Sequence, residues 1–156
     1  MGRVVTRAGL IRAARKAQRR GERVVFTNGV FDLLHYGHVA YLQKARRLGD
    51  ALFVGVNSDA SVRRLKGASR PLVPLSDRMH LLAALECVDL VTSFGEDTPQ
   101  QLIEQVRPDI LAKGADYRQK DIVGAPGVKA RGGRVVRIQL SKGRSTSKLV
   151  EKIKGS

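Results

Sequence analysis

Five short apolar runs alternate with five stretches of helical periodicity between residues 23 and 154, and this alternation leaves the chain few architectures. The runs are 23–28, 51–57, 89–94, 109–113 and 134–139, mostly apolar at successive positions, as in strands covered on both faces. Segments 38–48, 59–65, 76–87, 98–106 and 145–154 read as helices. Ser76, Thr98 (with Pro99 at the first helical position) and Ser145 are their candidate caps. Ahead of them, 7–20 reads as a basic amphipathic helix, with Leu10, Ile11, Ala14 and Ala17 opposite Arg12, Arg15, Lys16, Arg19 and Arg20. The expectation is an α/β fold with a parallel sheet and helices on both faces. It forms a single domain over 1–156, with 1–21 an N-terminal basic helix packed on it.

The first strand-to-helix junction carries His35-Tyr36-Gly37-His38. Arg23 to Thr27 leads in, and Val39, Leu42, Ala45 and Leu48 follow at helical spacing, up to Gly49 as the expected C′ residue. A helix starting on the carboxyl side of a strand aims its free N–H groups and positive dipole end into the crevice above the sheet. Phosphate binds there in open α/β folds. Two imidazoles flanking a glycine suit such an anion, since the glycine lets backbone approach it.

At 156 residues the chain can bury about two-thirds of its unfolded surface, and at 42% hydrophobic it can fill a core. One cysteine, Cys87, excludes an internal disulfide and a cysteine-built zinc site, and its apolar neighbours indicate a buried inert thiol. No apolar run reaches the ~18 residues of a membrane span, and no signal core follows the N-terminus, so a cytoplasmic address is expected. The net charge of +15 is spread along the chain. With 4% aromatics and no Trp there is no stacking platform for nucleic acid, and the field suits small phosphate anions instead.

Further segments share an order with a known family. Thr27-Asn28-Gly29-Val30-Phe31-Asp32-Leu33-Leu34-His35-Tyr36-Gly37-His38 resembles the signature of the cytidylyltransferase-like nucleotidyltransferases. Asn57-Ser58-Asp59, Arg64 to Gly67, Arg70-Pro71, Asp77-Arg78, Lys113 to Tyr117 and Gly143-Arg144-Ser145-Thr146-Ser147 follow in that family's order. Within it, Glu96-Asp97-Thr98-Pro99 and Lys113-Gly114 resemble the adenylyltransferase domain for D-glycero-β-D-manno-heptose 1-phosphate. The Arg-Thr-Glu-Gly run usual in glycerol-3-phosphate cytidylyltransferases is replaced by Leu140-Ser141-Lys142-Gly143.

The resemblance implies a Rossmann-like nucleotidyltransferase fold, with five parallel strands ordered 3-2-1-4-5. It implies transfer of AMP from ATP to the heptose 1-phosphate, giving ADP-heptose and pyrophosphate. The alternatives are cytidylyl transfer to glycerol 3-phosphate or another phosphorylated alcohol, and a basic nucleotide-binding module without turnover. Partners are then ATP and a sugar 1-phosphate, with neither nucleic acid nor membrane insertion, in a homodimer. The chain would be a stand-alone form, without the sugar kinase that often accompanies this domain. Mg²⁺ would arrive with the triphosphate, because no dense carboxylate cluster offers a cage.

Roles follow from the same likeness. His35, His38 and Lys66 are the expected catalytic residues. Thr27, Asn28, Gly29, Val30, Phe31, Gly37, His38, Lys113, Gly114, Asp116, Ser145, Thr146 and Ser147 would bind the nucleotide. Asp32, Lys66, Arg70 and Arg78 would bind the acceptor, Arg78 because a cation near a helix start opposes the dipole. Each imidazole would donate to phosphate oxygens, more strongly if charged, without acid–base work. Segments 66–75 and 114–133 are irregular, and His80 reads as structural.

Overall fold

A computed structural model describes residues 1–156. Its strands are β1 (Arg3–Val4), β2 (Val24–Gly29), β3 (Ala51–Asn57), β4 (Leu90–Phe94), β5 (Ile110–Gly114) and β6 (Arg134–Ile138). Its α-helices are α1 (Arg7–Arg19), α2 (Tyr36–Arg46), α3 (Asp59–Lys66), α4 (Leu75–Ala83), α5 (Gln100–Val106), α6 (Ala125–Ala130) and α7 (Thr146–Lys154). The strands form one parallel sheet ordered β1-β4-β3-β2-β5-β6. The five expected strands take the expected order, but the sheet has six. Arg3–Val4 adds to the edge beside β4, and two residues are too short to show any periodicity.

Alternation along each central strand fills two cores. Val24 and Phe26 of β2, Ala51 and Phe53 of β3 and Leu111 of β5 face one side, under α1, α5 and α6. Val25, Leu52, Val54, Val56, Ile110 and Ala112 face the other, under α2 and α4. Helix α1 buries Leu10, Ala14 and Ala17, and its cationic face remains outside.

Local chemistry moves several boundaries. Helix α4 begins after Pro74, which stands in the cap position, so Ser76 lies inside the helix and caps nothing. Pro99 is itself the cap residue of α5. Ser145 caps α7 as expected, its Oγ accepting from the Lys148 N–H at 3.1 Å. Helix α2 ends at Arg46, and Gly49 is not its left-handed C′ residue. A Cβ at Gly49 would lie 2.7 Å from the Arg23 carbonyl oxygen, so packing against the start of β2 requires the glycine. Within 114–133, a 3₁₀ turn at Gln119–Asp121 and α6 replace the expected irregular stretch.

Candidate active site

The carboxyl ends of β2, β3 and β5 open into a cleft of about 700 Å³. Helices α2 and α7 both begin there, so two sets of free N–H groups and two positive dipole ends share one space. His35 occupies the N-cap position of α2, and His38 sits three residues on. Their rings stack with centroids 3.9 Å apart, and Phe31 meets His38 edge-on at 5.4 Å. The His35 backbone N–H donates to His38 Nδ1 at 3.3 Å. An accepting Nδ1 places the proton of a neutral ring on Nε2, leaving that N–H for a ligand.

Burial, helped by the neighbouring His35, pushes the pKa of His38 down to about 4. That of His35 is also lowered, by burial and then by Arg144. The His38 ring is therefore neutral near pH 7, so of the two charge states left open by the sequence the structure favours the uncharged one. Gly37 is required sterically. A Cβ there would lie 2.8 Å from His35 Cε1 and 2.9 Å from its Nδ1.

Cations ring the opening. Lys66 ends α3, exposed and without an ion pair, and Arg70 follows in the loop. Lys113 is the next-to-last residue of β5, with Nζ 4.7 Å from the centroid of the Tyr117 ring; burial lowers its pKa, while Asp116 acts in the opposite direction. Asn28, Gly29, Val30, Phe31, Gly114, Asp116, Ser145, Thr146 and Ser147 also border the cleft, so most expected positions come together there.

Three expected ligands have other partners. Arg78 is buried and lies outside the cleft lining. Its guanidinium donates to the carbonyls of Val73, Val30 and Asn57 at 2.9, 2.7 and 2.9 Å, and to Asp59 at 2.7 Å. With its donors so engaged it positions the cleft loops and is not an acceptor ligand. Thr27 is also fully buried, its hydroxyl 2.8 Å from that of Tyr41, beneath the site and not in it. Asp32 does border the cleft, but its carboxylate accepts from the Leu72 and Val73 N–H groups, each at 2.9 Å, and lies 3.7 Å from Arg70. Phe31 and Leu33 on either side have φ of 52° and 46°, a left-handed backbone costly for side chains of that size. This backbone presents Asp32 to the loop, where its carboxylate anchors the segment that follows Lys66 and contains Arg70.

Arg144, not among the ligands expected from the sequence, also borders the cleft. Its guanidinium lies 5.0 Å from the centroid of the Tyr36 ring, at the mouth of the cleft. It stands within the quoted Gly143–Ser147 run, but only the docking of α7 beside α2 brings it to the histidines. Thr146 Oγ1 secures that docking with a 2.6 Å hydrogen bond to the Asp32 carbonyl. His80 stays outside the cleft, its Nδ1 bonded to the Ser76 carbonyl at 2.7 Å. Cys87 is half-buried, and burial raises its thiol pKa. No three His, Cys, Asp or Glu side chains cluster to hold a metal ion.

A family model described as cytidylyltransferase-like matches residues 26–151. Among curated proteins, the Bifunctional protein HldE of Citrifermentans bemidjiense is 59% identical over 147 residues, covering 94% of this chain and 30% of that protein. The protein of the same name from Magnetococcus marinus is 62% identical over 133 residues, or 85% of this chain and 27% of its own length. The chain thus spans under a third of these relatives.

Among solved structures, a lipopolysaccharide core biosynthesis protein from Thermoplasma volcanium superposes with a TM-score of 0.65 at 31% identity. It covers 80% of this chain and 100% of its own. Pantoate-beta-alanine ligase from Francisella tularensis superposes at 0.64 with 14% identity over 94% of this chain and 69% of its own, a likeness of fold alone.

Proposed function

The chain belongs to the cytidylyltransferase-like family, and on that premise we propose that it transfers the adenylyl group of ATP to D-glycero-β-D-manno-heptose 1-phosphate. The observation that carries the reading is the convergence of two helix N-termini, two histidines and a ring of Lys and Arg on one cleft. High identity to the HldE proteins supports it, as does the likeness to a lipopolysaccharide core biosynthesis protein.

An oxygen of the sugar phosphate attacks the α-phosphorus in line. The bond from that phosphorus to the oxygen bridging to the β-phosphate breaks, and pyrophosphate leaves with the electron pair. A phosphate monoester is already nucleophilic near neutral pH, so the protein's task is to position two anions and hold the developing charge. Neutral His38 donates from Nε2 to a phosphate oxygen, and the N–H groups opening α2 and α7 supply further donors. Lys66, Arg70 and Arg144 draw the two phosphate groups together against their repulsion. Asn28 to Phe31, Lys113, Gly114 and Asp116 surround the nucleotide.

Mg²⁺ suits this donor set only as a passenger on the triphosphate, since the cleft offers no three-ligand protein cage. When bound it neutralises charge on the leaving pyrophosphate. A homodimer acting in the cytoplasm completes the reading; light scattering checks the former. No helix is long and apolar enough to cross a membrane.

The test is pyrophosphate release with ATP, CTP and GTP in turn, each with the heptose 1-phosphate and Mg²⁺, for the native chain and His38→Ala. Turnover with ATP that collapses in the variant is expected. Turnover with CTP alone moves the chain to a cytidylyl branch, and none with any nucleotide or acceptor leaves a binding module.

A further inference from the structure

A second concavity, of about 460 Å³, opens at the other end of the sheet, where β2, β5 and β6 begin. The six residues of β2 separate it from the cleft by ~20 Å. Five arginines line it: Arg15 from α1, Arg23 ahead of β2, Arg107 after α5, Arg131 after α6, and Arg134 at the start of β6. Arg15 is engaged by the protein, donating to the carbonyls of Gln105 and Val106 at 2.6 Å each. The guanidinium groups of the other four make no hydrogen bond within the chain and no ion pair.

Asp109 is the sole carboxylate in the lining, and its Oδ2 accepts from the Val24 N–H at 2.8 Å and from Gln18 Nε2 at 3.1 Å. Like charge is therefore concentrated around this concavity with little to offset it. The pKa of Arg15 is lowered first by burial and then by Arg107 and Arg131. Arg107 also has a φ of 53°, a left-handed position usually given to glycine. Gathering free guanidiniums around a hollow costs Coulomb energy, which a multivalent anion would relieve.

The lining also says what kind of anion. Ile110 is its one hydrophobic residue and it has no aromatic side chain, so a nucleobase would find nothing to stack on. The planar forks of Arg suit phosphate oxygens. We propose that this concavity is a second anion site, which binds a compact oligophosphate through its phosphate groups alone. Free pyrophosphate or tripolyphosphate and the phosphate tail of a nucleotide share that chemistry.

The experiment is an amide NMR titration of the full chain with tripolyphosphate, then with ADP, then with a short single-stranded RNA. Gly132 and Gly133 report on this concavity, Gly37 and Gly114 on the cleft. A saturable shift at Gly132 and Gly133 is expected, with Kd raised at least tenfold in the double variant Arg107→Ser, Arg131→Ser. The response of Gly37 and Gly114 stays unchanged in that variant. Both substituted side chains are exposed, and an unaltered melting temperature verifies the fold. Comparable affinity for ADP assigns the site to nucleotide tails, and preference for tripolyphosphate assigns it to the free anion. Absence of a saturable shift, or one indifferent to the double variant, overturns the proposal. So does RNA affinity that exceeds that for tripolyphosphate and grows with strand length.

Discussion

The proposed chemistry of the cleft turns on two adjacent residues, Gly37 and His38. Gly37→Ala forces His35 off its stack, because the added methyl would overlap the imidazole. The expected result is a loss in kcat/KM of at least ~10-fold with little change in melting temperature, measured by pyrophosphate release and calorimetry. The low pKa of His38 has a second consequence. The folded chain resists protonating this ring while the unfolded chain does not, so stability is full above pH 6.5 and declines as pH falls toward about 4. His38→Gln removes this contribution, so its melting temperature falls less over that interval, a difference that thermal scans across pH will detect. Donor and acceptor types near a phosphate were readable from residue order alone. Arg78 and Asp32 were not, since burial decides whether a charged side chain meets a ligand or its own backbone.

Among the elements, the loop after α3 depends on two hidden anchors, Asp32 from below and Arg78 from behind. Arg78→Ala strands Asp59 and the carbonyls of Val73, Val30 and Asn57, the last of them buried. It should cost about 3–5 kcal/mol in urea unfolding and also lower kcat/KM of the folded fraction, because the loop after α3 loses an anchor. β1 is the contrasting case. It lies at the sheet edge beyond β4, apart from the cleft, and is fastened by few hydrogen bonds, among them those from Arg3 N to Asp89 O and Val5 N to Val91 O. Deleting residues 1–4 should remove about 1–2 kcal/mol and leave kcat within ~2-fold of native, as denaturation and turnover together would show. The five longer strands could be read from the chain because four of them are buried along most of their length and β6 still carries paired valines, while their order came from the family resemblance. The two-residue edge and short α6, enclosed by charge and glycine, had no comparable signal.

For the molecule as a whole, a net charge of +15 is spread over the surface and includes cations at a cleft at one end of the sheet and at an arginine-lined hollow at the other. Salt should therefore weaken substrate capture. A rise in ionic strength from about 0.05 to 0.3 M should raise the KM for ATP by ~3–10-fold with kcat nearly constant. The two ends of the chain also contribute unequally. Helix α7 buries none of its residues, yet it brings Arg144, Ser145 and Thr146 to the cleft through the bond to the Asp32 carbonyl. A polypeptide halted after residue 144, or clipped there by a protease, would keep both cores and unfold cooperatively. On the proposed reading it should nevertheless lose turnover with ATP, which pyrophosphate release from the truncated chain checks. A cell inspecting such a chain for exposed apolar surface would find little to object to, so damage at this end could accumulate as well-folded protein without a working site.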